Sequence, residues 1–205
     1  QPTEQLLSLA ERHALVAAPG NADDVGRGVA VQSDGKIVVG GSFYNGSGYD
    51  FLVARYNADG TLDTTFNDTG FVITNFGGSE LCYGMALQRD GRIVLAGYSD
   101  TDGDFDANAV VVARYTSMGA LDTSFNGTGA VITDLGASVF ILGVALQDDG
   151  RIIAAGSYLF GGRRYFAAFR YTSAGVLDTS FSGDGQAFTD VGAGTDNHAF
   201  AVGVQ

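Results

Sequence analysis

Cysteine, proline and lysine are almost missing from this sequence, which has one, two and one of them. Cys82 alone can build neither a disulfide framework nor a cysteine metal cluster. Its setting, Leu81-Cys82-Tyr83, reads as strand, which predicts a buried thiol rather than a nucleophile. No apolar run approaches the ~18 residues of a membrane-crossing helix. Bases are scarce: 11 Lys and Arg against 23 Asp and Glu, for a net charge of −12. Such a chain repels phosphate backbones and anionic bilayers, which argues against nucleic-acid and membrane partners. Histidine is limited to His13 and His198, neither in a nucleophile motif, and Glu to Glu4, Glu11 and Glu80. No phosphate loop or dinucleotide fingerprint occurs, so the expectation is a protein that is not an enzyme. The chain begins at Gln1 without an initiator Met, which fits removal of a signal peptide or an arbitrary boundary.

Glycine, at 31 residues, is abundant, and apolar content is ordinary for a globular protein. That suits many short strands joined by tight turns. One block is written three times. Gln32, Gln88, Gln147 and Gln205 each close an apolar run, and they stand 56, 59 and 58 residues apart. In the third copy Gly143 to Gln147 is a first strand, and Asp148-Asp149-Gly150 is a hairpin turn. Arg151 to Gly156 and the aromatic-rich Tyr165 to Tyr171 are the second and third strands. Leu177-Asp178-Thr179-Ser180-Phe181 and a glycine turn lead to a fourth, Gln186 to Val191. Copies one and two follow the same order. Four short antiparallel strands per repeat predict an all-β fold, a β-propeller. A parallel β-solenoid, whose coils are shorter, is the alternative.

Three blades are expected at about 27–76, 82–135 and 141–191. Residues 1–12 form a separate N-terminal segment, His13 to Ala18 an outer strand, and residues 198–205 a partial blade carrying an inner strand. Closed propellers have about four to eight blades. The open ends are therefore expected to meet further blades, or another copy of the chain in a ring or filament.

Ala-Arg-Tyr (54–56, 113–115) or Phe-Arg-Tyr (169–171), then Leu-Asp-Thr-Thr/Ser-Phe, Val-Ala-Leu-Gln, Asp-Gly-Arg-Ile and Ala-Gly carry a family likeness. Over residues 13–205 the chain resembles the bacterial delta-60 repeat. The resemblance implies a propeller from large exported or cell-surface bacterial proteins, often beside adhesion-type modules, with no general catalytic residues.

Residues present in every copy are explained by the blade. Asp63, Asp122 and Asp178 recur, as do Arg55, Arg114 and Arg170, and one Arg–Asp pair per blade satisfies both charges. The sequons Asn67-Asp68-Thr69 and Asn126-Gly127-Thr128 read as turn chemistry. The segments that differ between copies all fall on one face: Phe43 to Asp50, Tyr98 to Asn108, Ser157 to Arg164, Phe76 to Cys82, Asp134 to Ile141 and Asp190 to Ala199. Function is expected there. Asp100, Asp102, Asp104 and Asp106 alternate around Gly103, a pattern that can wrap calcium; a solvated acidic hairpin is the competing account. Tyr44, Tyr49, Tyr98, Tyr158 and Phe160 suit sugar rings or a protein partner, or plug gaps between blades. Arg163 and Arg164 can hold an anion or pair with a nearby Asp. Glu80 and Asp196 complete the expected ligand-binding set, and Glu80 opposite Asp102 or Asp196 is the carboxylate pair a polysaccharide hydrolase would need.

Overall fold

The structure, a computed structural model, describes residues 24–100, 107–190, 192 and 199–204. Among them lie twelve strands in three four-stranded sheets and no helix. The first sheet is β1 (Val25–Val31), β2 (Ile37–Tyr44), β3 (Tyr49–Tyr56) and β4 (Phe71–Thr74). The second is β5 (Ser79–Leu87), β6 (Ile93–Asp100), β7 (Ala109–Tyr115) and β8 (Ala130–Asp134). The third is β9 (Val139–Leu146), β10 (Ile152–Phe160), β11 (Arg163–Tyr171) and β12 (Gln186–Thr189). Each sheet is an antiparallel meander in sequence order. The first strands are neighbours, β1 against β5 and β5 against β9, and the sheets stack face to face as the blades of a propeller.

The core lies between blades. Val38, Phe51, Val53 and Phe66 of blade 1 pack against Cys82, Ile93, Leu95, Val111, Ala113 and Tyr115 of blade 2. Val94, Ala96, Val110, Val112 and Phe125 of blade 2 pack against Ile141, Ile152, Ala154, Phe169 and Tyr171 of blade 3. Alternate residues of β6 and β7 thus serve opposite neighbours, and this is why those strands are apolar throughout. On blade 1 the side away from blade 2 leaves Val29 and Val31 at 69% and 65% exposure.

The recurring Gln begins a hairpin. Gln88 donates its N–H to the Arg92 carbonyl (2.8 Å), and Gly91, at φ 84°, donates to the Gln88 carbonyl (2.9 Å). The same bonds recur at Gln32 and Gln147. Only glycine takes such a φ without cost, which accounts for Asp-Gly in every copy. The first strands share a second device. Pairing skips one residue between Gly26 and Gly28, between Cys82 and Gly84, and between Ile141 and Gly143. Arg27, Tyr83 and Leu142 are the extra residues of three equivalent bulges. The facing residues are Gly41, Gly97 and Gly156, where a Cβ would collide with the carbonyl oxygens of Val25, Leu81 and Phe140. The Ala-Gly of the motif is therefore the counterpart of a bulge.

The expected boundaries need correction. Blades 2 and 3 begin at Ser79 and Val139, a few residues ahead of 82 and 141. Pairing also runs further into the variable segments than the sequence suggests. Ser157 to Arg164 is mostly ladder, since Phe160 pairs with Arg163 across the two-residue turn Gly161-Gly162 at φ 58° and 77°. Two consecutive positive φ values match the twist of a hairpin and let the strands continue to their tip. Residues 199–204 fall outside the twelve strands, with Ala201 and Val202 against Gly143 of β9. His13 to Ala18 and residues 1–12 lie outside the described residues.

Replacing Gly97 by Ala forces a Cβ into backbone in the middle of the arc. We expect a loss of about 1–3 kcal/mol, read as a lower urea midpoint at unchanged slope. The same change at Gly46, on a hairpin tip with open space around it, should cost only the strain of its positive φ.

Candidate functional site: the variable-loop face

The repeated residues fix one face. Asp122 accepts from the Nε of Arg114 (2.8 Å) and from the Ser124 hydroxyl (2.6 Å), and pairs with Arg92 Nε (2.8 Å). Arg92 comes from the Asp-Gly-Arg turn, so the carboxylate ties hairpin, third strand and following loop together. Asp63 does the same with Arg55 Nε (2.6 Å), Lys36 Nζ (2.6 Å) and the Thr65 hydroxyl (2.7 Å). Asp178 is held by Arg151 Nε (2.8 Å) and the Ser180 hydroxyl (2.7 Å), and pairs with Arg170 Nε (2.8 Å). The expected Arg–Asp pairs are present in all three blades. The turn base as a third member was not anticipated, although Lys36, Arg92 and Arg151 recur in the motif.

These contacts hold the carboxyls low. At Asp63 burial works to raise the group, and hydrogen bonds from Lys36, Thr65 and Arg55 outweigh it. At Asp178 the Ser180 hydroxyl dominates; burial opposes it, and the Ser180 amide, Arg170 and Arg151 add to the lowering, to about 2.

The opposite face carries what does not repeat. A line of side chains crosses all three blades at the start of the first strands. The Arg27 guanidinium lies 4.4 Å from the Tyr83 ring centroid. Tyr83 stacks on Tyr98 at 5.4 Å, Tyr98 meets Phe140 edge-on at 5.2 Å, and Arg164 covers Phe140 at 5.0 Å. These are favourable aromatic and cation–π separations. The line exists because bulges turn Arg27 and Tyr83 out of the ladder, and because slots filled by Tyr98 and Phe140 hold smaller residues elsewhere. Tyr98 faces Leu81 across the sheet, whereas Ser42 faces Val25 and Ser157 faces Phe140. Burial at 9% exposure pushes the Tyr98 hydroxyl above its usual range, as does the bond it donates to Tyr83 (3.5 Å).

The hairpin tips stand around this line. Tyr44 and Tyr49 face each other at 5.2 Å, and the Tyr44 hydroxyl donates to Gly46 O (3.1 Å). Asp50, beneath them, accepts from Asn45 (3.1 Å) and Asn75 (2.6 Å). Tyr158 stacks on Phe160 (6.1 Å) and touches Phe188 (4.7 Å). Arg163 is exposed and pairs with Asp190 at 3.2 Å.

The expected ligand set divides accordingly. Tyr98 and Arg164 join one line, and Tyr44 and Tyr49 form a separate pair. Glu80 is a correction: it is fully enclosed rather than displayed. It accepts from the N–H groups of Phe76 (3.3 Å) and Gly78 (2.7 Å) and from the Ser99 hydroxyl (3.2 Å), fastening the loop between blades 1 and 2. Burial pushes its carboxyl up against those bonds. A Glu with its oxygens so committed is no exposed ligand group. Asp100 ends β6; Asp102, Asp104, Asp106 and Asp196 lie outside the described residues. Among the described residues no three His, Cys, Asp or Glu side chains gather as a metal site. Cys82 is buried, and burial raises its thiol to about 12. Arg27, Tyr83 and Phe140 were missed; the signal available was the absence of repetition within the strands, not only within loops. Grooves of about 330 and 420 Å³ open on the repeat face, lined by Gln32, Gln88, Gln147 and their turns. Their lining recurs at each blade boundary, which marks them as joints between blades.

Residues 32–66, 88–125 and 147–181 match the family described as a domain of unknown function (DUF5122) beta-propeller, over just more than half of the sequence. The chain belongs to this family. No curated protein matches it. Each DUF5122 match opens on the recurring Gln and closes on the Phe after the bound Asp, so it spans the Asp-Gly turn, the second and third strands and the Arg–Asp pair. Arg27, Tyr83 and Phe140 lie outside the matched stretches.

Removing one partner of a buried pair leaves the other charge stranded. Asp122→Ala should cost about 3–5 kcal/mol in urea unfolding. Acid should act through the same groups. The carboxyls are depressed below the ordinary value near 3.9, so their stabilisation is fully present above about pH 4. It drains away as pH falls through the Asp178 value of about 2. Tm measured between pH 5 and pH 2 should fall steeply, and Asp178→Asn should flatten that fall.

Proposed function

We propose that this chain is a non-enzymatic binding module, exported to the cell surface or beyond, that engages a protein or glycan through its variable-loop face. The observation that carries the reading is the line Arg27–Tyr83–Tyr98–Phe140–Arg164, which crosses three blades with residues the repeat does not require. Repeat architectures keep stacking contacts constant and vary the residues that meet a partner. The line also places Arg27 and Arg164, with Arg163 nearby, on one side of a chain whose net charge is −12. Arg27 and Arg163, exposed beside the half-buried Tyr83 and Phe140, suit a carboxylate on a sugar and equally an acidic protein surface, while Tyr98 fills the gap between the blades. Calcium, bound by Asp100, Asp102, Asp104 and Asp106, would order the hairpin beside it.

A glycan array and a binding screen against surface proteins test the face. Arg27→Glu with Arg163→Glu changes two exposed side chains, so Tm should stay within a few degrees while binding falls at least about tenfold. Binding that survives this pair would move the site elsewhere. Calcium should raise Tm in wild type and not in Asp102→Asn with Asp104→Asn; equal Tm with and without calcium would remove the metal from the account. A turnover screen on polysaccharides should give no products.

A further inference from the structure

Blade 1 departs from the other two at one cross-strand pair. Lys36 stands where Arg92 and Arg151 stand, and Asn57 where Thr116 and Thr172 stand. Each pair flanks the last rung of the second and third strands: Ile37 with Tyr56, Ile93 with Tyr115, Ile152 with Tyr171. The fold is the same with either set of residues. Asn57 N–H donates to Thr61 O, Thr116 N–H to Ala120 O and Thr172 N–H to Val176 O, each at 2.8 Å. Lys36 Nζ reaches Asp63 Oδ2 at 2.6 Å, and Arg92 and Arg151 reach their Asp through Nε at 2.8 Å. What changes is the chemistry. Lys36, the one lysine of the chain, sets a primary amine against the side-chain amide of Asn57, with Nζ 3.3 Å from Oδ1. Thr61, where blades 2 and 3 have Ala120 and Val176, fixes that amide. Its hydroxyl accepts from Asn57 Nδ2 (2.9 Å) and donates to Asp59 (2.6 Å), so the amide oxygen is held toward the amine. Asp63 also accepts from Arg55 Nε (2.6 Å) and from the Thr65 amide and hydroxyl. Its carboxylate therefore stays paired when Lys36 gives up its charge. The lysine side chain is 27% exposed and can release that proton to water.

We propose that Lys36 and Asn57 join in an isopeptide bond, a covalent clasp across the open end of the β2–β3 hairpin. The neutral Nζ attacks Asn57 Cγ. The tetrahedral adduct carries an ammonium on Nζ, and Asp63 Oδ2, in contact with that nitrogen, takes its proton and passes it to Nδ2. The Cγ–Nδ2 bond breaks as the Cγ–Nζ bond is completed, and the atoms balance with one ammonia released. An amine held against a carbonyl in one geometry reacts as though at very high concentration, and the step has to happen only once in each molecule. In blades 2 and 3 the reaction is closed off, because a guanidinium stays protonated and threonine has no carbonyl carbon in its side chain. The clasp lies on the repeat face and is independent of any ligand on the variable-loop face.

Trypsin digestion and mass spectrometry decide the matter. The sample is the wild-type chain aged for a week at about pH 9, where more of the amine is neutral. Without the bond, the denatured chain yields residues 28–36, 37–55 and 56–89 as separate peptides. With it, Lys36 resists cleavage, and residues 28–55 are recovered joined to 56–89. The joined species is lighter than its two parts by one ammonia, about 17 Da, and its fragment ions place the branch at Lys36 and Asn57. Lys36→Arg and Asn57→Thr bring in the residues that the other blades carry, so each variant should fold and give separate peptides. Each should also lower Tm by ~5–10 °C, because a closed ring of about 20 residues no longer restrains the unfolded chain. The double variant should lose no more than either single one, since one bond accounts for both losses. Separate peptides from the aged wild type would reduce the contact to an ion pair and a hydrogen bond, and the proposal would fall. Ammonia lost from Asn57 without joining the peptides, as in a backbone succinimide, would overturn it equally. So would Tm losses that add in the double variant.

Discussion

Everything in this fold leans on an arginine that bonds through each of its three side-chain nitrogens. Arg114 gives Nε to Asp122, Nη2 to the Ser124 hydroxyl and Nη1 to a carbonyl of the next blade, while its plane covers the Phe125 ring at 4.8 Å. Arg55 repeats the pattern with Asp63, Thr65, Ser117 and Phe66. Lysine could not replace it, because one ammonium cannot aim at three acceptors held in a plane. A buried guanidinium is tolerable only when its donors are met, and one of the acceptors belongs to the neighbour. The local satisfaction of each blade is thereby conditional on the next, which is how a row of small sheets becomes one cooperative body.

The same logic divides what could be read from the sequence from what could not. The blade, its strand order and the Arg–Asp pairing were legible because the residues responsible recur, and recurrence at one spacing is a signal no local propensity can imitate. The bulges were not legible. A skipped residue leaves no mark on composition, and only the collision waiting at Gly41, Gly97 and Gly156 explains a glycine that reads as an ordinary strand ending. Because the bulges were hidden, so was the line they produce: Tyr83 sits in apolar strand sequence that reads as core, and Phe140 in a segment that reads as a loop between blades. Glu80 failed for the opposite reason. A lone Glu next to Gly77-Gly78 reads as an exposed loop acid, but the tight turn folds two amides back onto it and makes it a staple.

Placement of charge follows from this division of labour. Carboxylates of the repeat face are neutralised within each blade, by Lys36 and Arg55, by Arg92 and Arg114, or by Arg151 and Arg170. Among the described residues Arg27, Arg163 and Arg164 lie on the other side beside the aromatic line, Arg163 paired with Asp190 and Arg164 over Phe140. Long-range repulsion from the acidic chain keeps polyanions at a distance, whereas a small anionic group at contact range feels mainly the nearest guanidinium, since charges beyond about 8–10 Å are screened at physiological salt.

The arc is also graded in stability. Blade 2 is covered on both faces, and each strand of its hairpin β6–β7 has buried residues pointing each way. Blade 1 leaves Val29 and Val31 open on one side, and blade 3 leaves Phe181 and Val176 partly open on the other. In a row of units coupled to nearest neighbours, an end unit has one interface and a middle unit two, so opening proceeds from the ends. Tyr83 and Tyr98, the centre of the aromatic line, belong to the blade that opens last. Arg27 and Arg164 belong to the blades that open first. A ligand that bridged both arginines would therefore stabilise the arc where it is weakest, and would couple its own affinity to whatever covers the outer faces.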